Sequence, residues 1–234
     1  MDFVRNPGRA AGLVYLLLVL IGPFYLVYVP SQIYVQGNLT ATAEKVSSHE
    51  SLLRLGIVAE LVGSVIFLFV ALSLYRLLHR VDEPKSKLMV ILTQISVAVG
   101  FVNSLHYAGA LLLARTAEFS AALDKPQREA LITLFVRLHQ HGNTANEIFW
   151  GLWLIPLGIL VIKSGFLPRV LGYWLIVNGA TYVALSITAL LTPHYSDLAS
   201  QISFPFLLGE VAFMLWLVIK GADPERKSFS VATA

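Results

Sequence analysis

Six long apolar segments, separated by shorter polar stretches, define the pattern of this chain. Each approaches the roughly 20 predominantly apolar residues that an α-helix needs to cross the hydrocarbon core of a bilayer. The segments run from about Ala10 to Val29, Leu53 to Leu78, Leu88 to Ala114, Gly142 to Ile162, Val170 to Leu191 and Ile202 to Ile219. The pattern predicts an all-α fold, an integral membrane bundle of six transmembrane helices.

Composition supports a membrane protein and excludes several other classes. Hydrophobic residues make up 56% of the chain and charged residues only 13%, whereas a typical soluble domain carries about 25% charged residues. Cysteine is absent, which rules out disulfides, thiolate metal sites and cysteine nucleophiles. The net charge of +3 comes from basic residues beside the apolar segments, and no nucleic-acid-binding motif is present. We therefore expect the lipid bilayer as a partner, and no nucleic acid.

The polar stretches predict how the helices are connected. The segment from Pro30 to Ser51 is expected to be the longest connection. Residues Gln127 to His141 carry apolar side chains at helical spacing and form either an interfacial half-helix or an outer extension of the fourth helix. We predict one six-helix transmembrane domain over residues 1–221 and a short mobile cytoplasmic tail over residues 222–234. No internal repeat supports an inverted-repeat transporter.

The distribution of Lys and Arg predicts the orientation, because basic flanks resist translocation. An N-terminus inside places most of the 17 basic residues on the inner flanks, namely Arg5, Arg9, Arg76, Arg80, Lys85, Lys87, Lys163, Arg169, Lys220, Arg226 and Lys227. Six spans then bring the C-terminus to the same side (N-in/C-in), in a multi-pass protein of the cell (inner or plasma) membrane. A cleaved signal peptide ending near Ala41-Thr42-Ala43 is the rival interpretation, but the first apolar stretch is too long for it.

Several short motifs together resemble a known family. They are Arg9-Ala-Ala-Gly12, Arg54-Leu-Gly-Ile57, Ile148-Phe-Trp-Gly-Leu-Trp153, Lys163-Ser-Gly-Phe-Leu-Pro-Arg-Val-Leu-Gly172, Gly209-Glu210 and Leu215-Trp-Leu-Val-Ile-Lys-Gly221. The arrangement, over nearly the whole chain, is similar to the DUF4386 family of bacterial multi-pass membrane proteins of unassigned function. The resemblance implies a bacterial-type membrane protein and supplies no catalytic residues.

Four ionisable residues within the apolar segments require an explanation. They are Glu60, His106, Glu147 and Glu210. An ionisable side chain at the centre of a membrane helix costs roughly 2.5 to 3.5 kcal/mol on insertion scales, and it usually faces the protein interior. With the N-terminus inside, all four fall in the outer half of the membrane, Glu60 about 10 Å from the outer end of its helix at about 1.5 Å per residue. This shared depth is the strongest functional signal in the sequence.

Helical spacing adds further polar groups to this candidate site. His139, Asn143 and Glu147 are four residues apart and share a face if the helix continues through them, and Asn103 and His106 are three apart. The candidate polar site is therefore Glu60, Asn103, His106, His139, Asn143, Glu147 and Glu210. Imidazole and carboxylate groups suit a divalent metal, with His106, His139, Glu60, Glu147 and Glu210 as candidate ligands; the sequence also leaves non-covalent haem open. The competing interpretation is that each group only hydrogen-bonds a neighbouring helix.

These residues leave three functional hypotheses open. The first is an outward-facing site for a small molecule or lipid, either catalytic or purely binding. The second is a proton-coupled or small-solute transporter. The third is a non-enzymatic membrane component that assembles with or senses a partner. No hydrolase, zinc-protease, nucleotide-binding or covalent-haem motif occurs in the sequence.

Glycine spacing in the fourth and fifth segments predicts close helix packing. Gly151 and Gly158 are seven residues apart, as are Gly172 and Gly179. Pro156 is expected to kink the fourth helix. The four tryptophans are interpreted as packing or membrane-interface residues rather than as a cofactor site.

Overall fold

The computed structural model describes residues 6–223, and every regular element within that range is a helix. The helices are α1 (Pro7–Pro23), α2 (Val29–Ile33), α3 (Leu39–Ser48), α4 (Glu50–Leu78), α5 (Glu83–Arg115), α6 (Ala117–Ala122), α7 (Lys125–Leu152), α8 (Leu154–Ser164), α9 (Arg169–Leu191) and α10 (Ser196–Ile219). A π-helical turn, Phe24–Tyr28, joins α1 to α2, and a 3₁₀ turn, Pro193–Tyr195, precedes α10.

Six of the helical stretches in the described residues are long and apolar enough to cross a membrane. They are Pro7–Ile33, Glu50–Leu78, Glu83–Arg115, Lys125–Ser164, Arg169–Leu191 and Pro193–Ile219. The predicted all-α fold with six candidate spans is thus confirmed at this level. Most spans begin earlier or end later than hydropathy placed them, because a helix continues into its polar flanks where caps and neighbouring helices satisfy its backbone.

The fourth span resolves the alternative left open for residues Gln127 to His141. Helix α7 runs without interruption from Lys125 to Leu152, so this stretch is an extension of the fourth helix. A break follows at Trp153, and α8 then continues to Ser164. Pro156 lacks the N–H that would bond the Leu152 carbonyl, which explains why the helix is interrupted at this point.

The connection between the first two spans, residues 34–49, is the longest between spans in the described part of the chain, as predicted. The predicted segment Pro30 to Ser51 is largely helical, because it contains most of α2 and all of α3. Asn38 caps α3 by accepting a hydrogen bond from the Ala41 N–H at 2.9 Å. The cap satisfies one of the free backbone donors at the start of this helix, a signal that apolar periodicity does not carry.

The chain divides into two compact units. The first unit comprises the described residues of 1–19, 66–97 and 144–234, and the second comprises residues 20–65 and 98–143. The predicted single domain over residues 1–221 stays a prediction. Most of the predicted tail, residues 224–234, lies outside the described residues.

The core of the first unit surrounds Trp153, which is fully buried. Its indole ring packs edge-on against Phe67, with ring centroids 5.0 Å apart, and lies 6.1 Å from the Tyr15 ring. This residue is a packing tryptophan, as the sequence predicted.

Helices α7 and α8 pack against α9 through pairs of glycines. A Cβ atom on Gly158 would lie 2.5 Å from the Gly172 carbonyl oxygen, and one on Gly172 would lie 2.6 Å from the Gly158 carbonyl oxygen. Gly151 and Gly179 face each other in the same way. The close packing predicted from the seven-residue spacing is confirmed, and small residues at helix contacts are typical of membrane proteins.

The first unit also joins the two ends of the described chain. The Ala222 N–H donates to Asn6 Oδ1 at 3.0 Å, and the Gly8 N–H donates to the Ala222 carbonyl at 3.0 Å. Gly221 supplies the left-handed backbone, with φ of 71°, that ends α10 and turns the chain toward Asn6.

In the second unit, α2 and α3 pack against the parts of α4, α5 and α7 that belong to it. Its buried apolar residues include Val29, Val46, Leu53, Ala110 and Val136. Gly56 of α4 lets Val29 approach, since a Cβ there would lie 2.9 Å from a Val29 methyl carbon. The polar groups described next belong to this same unit.

Candidate functional site

A carboxyl–imidazole pair is buried in the second unit. His139 Nε2 of α7 lies 2.9 Å from Glu60 Oε2 of α4, and the two side chains are only 1% and 6% exposed. Glu60 lies within an apolar span, where an unpaired ionisable group would be costly, and His139 lies in the extension of the fourth helix. The contact explains how the helices accommodate both groups.

The phenol ring of Tyr107 covers one face of the His139 imidazole. The two rings are nearly parallel, at 14°, with centroids 3.6 Å apart. Among the described residues, two polar atoms of this stack are buried without a hydrogen-bond partner, namely His139 Nδ1 and the Tyr107 hydroxyl. A buried polar group left without a partner costs about 1 to 3 kcal/mol, so these two atoms require an explanation.

Electrostatics determines whether His139 Nδ1 carries a hydrogen. The pair is electrically neutral in two forms: a protonated Glu60 donates to Nε2 of neutral His139, or protonated His139 donates from Nε2 to the Glu60 carboxylate. In both forms Nδ1 carries a hydrogen. The third form, with a bare Nδ1, leaves a net negative charge in an apolar interior, which is strongly unfavourable. His139 Nδ1 is therefore an unpaired donor.

Asn103 of α5 ties the same region of α7 together. Its amide nitrogen donates to the His139 carbonyl and to Asn143 Oδ1, both at 3.0 Å. Gly142 permits this approach, because a Cβ atom there would overlap Asn103 Oδ1. His139 and Asn143, which helical spacing grouped together, thus share Asn103 as a hydrogen-bond partner.

His106 contributes to this network through Asn103. Its Nδ1 lies 3.0 Å from the Asn103 backbone carbonyl and 3.1 Å from Asn103 Oδ1. Because both neighbours are acceptors, Nδ1 of this half-buried ring carries a hydrogen. The described contacts pair His106 with an asparagine rather than with an acidic residue.

A second polar cluster lies in the first unit. The hydroxyl of the buried Tyr15 donates a short hydrogen bond to Glu210. Tyr182 lies within electrostatic range of both Glu210 and Glu147, and the Trp150 ring packs edge-on against it with centroids 6.3 Å apart. Glu210 thus has one tyrosine as a hydrogen-bond partner and a second tyrosine within electrostatic range, and Glu147 shares the second.

Uncharged amides nearby connect helices of the first unit. Asn178 donates from its amide to the Leu207 carbonyl at 3.2 Å. Asn146 donates to the Ser96 carbonyl at 3.2 Å. These bonds stabilise α9 against α10 and α7 against α5.

The seven predicted site residues thus fall into two groups. The second unit holds Glu60, Asn103, His106, His139 and Asn143, and the first unit holds Glu147 and Glu210. Within residues 6–223, no three His, Asp or Glu side chains come together in a way that could hold a metal ion. The metal hypothesis gains no support from the described residues, and a common functional role for the seven stays a prediction.

Tyrosines are the members of both clusters that the sequence reasoning missed. Tyr107 follows Asn103 by four residues, and Tyr182 follows Asn178 by four, so each shares a helical face with an asparagine. That spacing was available in the sequence. Tyr15 offered no comparable signal, because its partner Glu210 is 195 residues away along the chain.

Comparison with known proteins places the chain in a family. The family model described as "Domain of unknown function (DUF4386)" matches residues 10–221. A relative from Archaeoglobus fulgidus, described as "Uncharacterized protein", is 32% identical over 152 residues, which are 65% of this chain and 75% of the relative. No solved structure matches the chain. The match covers nearly all of the described residues and confirms the predicted resemblance, so this chain belongs to the DUF4386 family.

Proposed function

We propose that this multi-pass membrane protein binds a small molecule or a lipid head group at the Glu60–His139 pair, from the outer side of a cell membrane. The basic flanks of the six candidate spans support an N-in/C-in orientation. With that orientation Glu60 and His139 lie toward the outer face. The observation that carries the proposal is that His139 Nδ1 and the Tyr107 hydroxyl, on two stacked rings with centroids 3.6 Å apart, both lack a partner among the described residues.

The chemistry of the pair defines the class of ligand. Two unpaired donors favour a group with hydrogen-bond acceptors, such as a carboxylate, a phosphate ester or an amide carbonyl. The bond to Glu60 fixes the imidazole on one edge, the Tyr107 ring covers one face, and Asn103 holds the backbone of His139. A site held on three helices in this way is positioned before the ligand arrives, which lowers the entropic cost of binding.

Thermal unfolding of the detergent-purified protein tests the proposal, with small carboxylates, phosphate monoesters and primary amides as separate probe classes. We expect at least one class to raise the unfolding midpoint of the wild type. Tyr107→Phe should lose this response without losing stability, because it keeps the stacked ring and removes a hydroxyl that has no partner. Tyr173→Phe, at a tyrosine that is 59% exposed, is the matched control and should respond like the wild type.

Two results would argue against a site here. One is an unchanged response in both Tyr107→Phe and His139→Gln, which would place the bound probe elsewhere. The other is a wild type that none of the three classes stabilises. His141→Ala, at an exposed histidine two residues along α7, controls for the loss of an imidazole.

The acidic cluster of the first unit favours the transport hypothesis as a second candidate. Tyr15, Glu210, Tyr182 and Glu147 are groups that can exchange protons, and buried acidic residues form proton relays in transporters. Uptake of amino acids, sugars and inorganic cations into proteoliposomes, with and without a pH gradient, tests this function. We expect uptake that depends on the pH gradient and that Glu210→Gln abolishes. Uptake at the same rate with and without the gradient would count against proton coupling.

A further inference from the structure

A groove opens between α4 and α5 in the second unit. It has a volume of about 470 Å³ and is walled mostly by apolar side chains, including Val58, Ala108 and Leu112. Val58 and Leu112 are 56% and 58% exposed and therefore face the surroundings of the helix pair. Within a membrane span, such a surface meets acyl chains.

Two arginines line the same groove. Arg54 and Arg115 are both held by one carboxylate, with Arg54 Nε 2.8 Å from Glu50 Oε1 and Arg115 Nη2 2.5 Å from Glu50 Oε2. Arg115 also donates to the Ser47 carbonyl at 3.1 Å. Each guanidinium has five N–H donors, so these contacts leave donors on both arginines for a further acceptor.

The position and charge of this cluster match a lipid head group. Helix α4 begins at Glu50 and α5 ends at Arg115, so the arginines lie where the two spans reach the membrane boundary. Residues Ala108 to Arg115 then place about 10 Å of apolar groove along α5, at about 1.5 Å per residue. Two guanidinium groups and one carboxylate give the cluster a net charge of +1, which a phosphodiester with a charge of −1 neutralises.

We propose that this groove binds a glycerophospholipid with an anionic head group. The phosphate lies against Arg54 and Arg115, whose planar guanidinium groups match phosphate geometry. One acyl chain extends along Val58, Ala108 and Leu112. Glu50 is a positioning residue, because it fixes both arginines and limits the charge of the cluster. The site is separate from the Glu60–His139 pair and does not depend on the function proposed for that pair.

Native mass spectrometry of the full chain tests this proposal, with phosphatidylglycerol and phosphatidylcholine of identical acyl chains as probes. The wild type should retain phosphatidylglycerol in preference to phosphatidylcholine. Arg54→Gln and Arg115→Gln should each weaken phosphatidylglycerol binding about fivefold, the usual effect of one basic residue near a membrane surface. Ala108→Phe fills the apolar part of the groove without changing charge and should weaken binding of both lipids.

Arg137→Gln removes the same charge from an exposed arginine in the same unit that does not line the groove, and it should bind like the wild type. An equal loss of phosphatidylglycerol binding in Arg137→Gln and Arg54→Gln would overturn the proposal, because binding would then depend on the overall charge of the protein. Displacement of phosphatidylglycerol by soluble sn-glycerol 3-phosphate would also overturn it, in favour of a site for free phosphate compounds. Wild-type retention of both lipids to the same extent would do so as well.

Discussion

Gly142 of α7 faces the side-chain amide of Asn103 of α5 so closely that a Cβ atom at residue 142 would overlap Asn103 Oδ1. The glycine is therefore the reason that Asn103 can donate to both the His139 carbonyl and Asn143. A methyl group at this position acts on the candidate site without touching Glu60 or His139 themselves.

Gly142→Ala should displace Asn103 and lower the free energy of unfolding in detergent by about 1 to 3 kcal/mol, because two buried hydrogen bonds are lost. Gly22→Ala is the matched control. A Cβ atom at Gly22 meets nothing within 4 Å, so this substitution should be neutral or stabilising by up to about 1 kcal/mol through helix propensity. Equal effects of the two substitutions would contradict the contact with Asn103.

The Glu60–His139 pair should show strong energetic coupling. In a double-mutant cycle with Glu60→Gln and His139→Gln, we expect a coupling energy of about 1 to 3 kcal/mol, since the atoms are in direct contact in a buried setting. Equilibrium unfolding of the four proteins measures it. Additive single effects would show that the two groups do not interact in the folded protein.

Tyr15→Phe removes the donor that satisfies Glu210. The buried carboxyl then lacks this partner, and stability should fall by about 1 to 3 kcal/mol. Thermal or chemical unfolding of the variant provides the measurement. Glu210→Gln combined with Tyr15→Phe should cost less than the sum of the two single effects, and full additivity would argue against the bond.

The glycine contact between α8 and α9 should not tolerate a larger residue. Gly172→Leu places a side chain against the Gly158 carbonyl and Ile162, and helices separated in this way lose close packing. We expect a loss of about 1 to 3 kcal/mol, the usual cost of overpacking, measured by unfolding in detergent. Gly22→Leu, at the open position, should leave stability nearly unchanged.

The ion pairs of Asp82 predict how the stability of the folded protein depends on pH. Hydrogen bonds from Lys85 and Lys163 hold the pKa of its carboxyl well below the ordinary value, with contacts of 2.8 Å and 2.9 Å. A lowered pKa in the folded state means that the pair stabilises the protein above the ordinary Asp pKa of about 3.9. This contribution disappears as the pH falls toward the lowered value.

Asp82→Asn should therefore lower the unfolding midpoint slightly at pH 7 and have progressively less effect as the pH falls below about 4. Midpoints across a pH series measure the difference between the variant and the wild type. Glu83→Gln is a useful comparison, since the Glu83 carboxyl pairs with Lys87 in an exposed contact. A difference that grows toward low pH would contradict the assignment.

The spans were predictable because the bilayer imposes their length, whatever the tertiary contacts. The glycine spacing was also informative, because Gly158 and Gly172 occupy repeating positions on two helices that are consecutive along the chain. Helix α3 was missed since its start depends on the Asn38 cap rather than on an apolar period.

The sequence predicted which residues belong to the candidate site, but it did not predict which of them bond to each other. The cost of burial singled out Glu60, and helical spacing included His139. Spacing reports which residues share a face of one helix, but it does not report which helices meet. The sequence could therefore not distinguish a bond between His139 and Glu60 from one between His139 and Glu210. Helical spacing places Tyr107 on the same face as Asn103, but its stacking on the His139 ring has no sequence signature.

The hydrogen bonds between Asn6, Gly8 and Ala222 have a consequence for chain connectivity. Since they hold Asn6 and Gly8 next to Ala222, a short linker that joins the chain at these residues would close it at little entropic cost. New termini could then be introduced at the turn between α4 and α5. The same six candidate spans would then follow one another in a circularly permuted order.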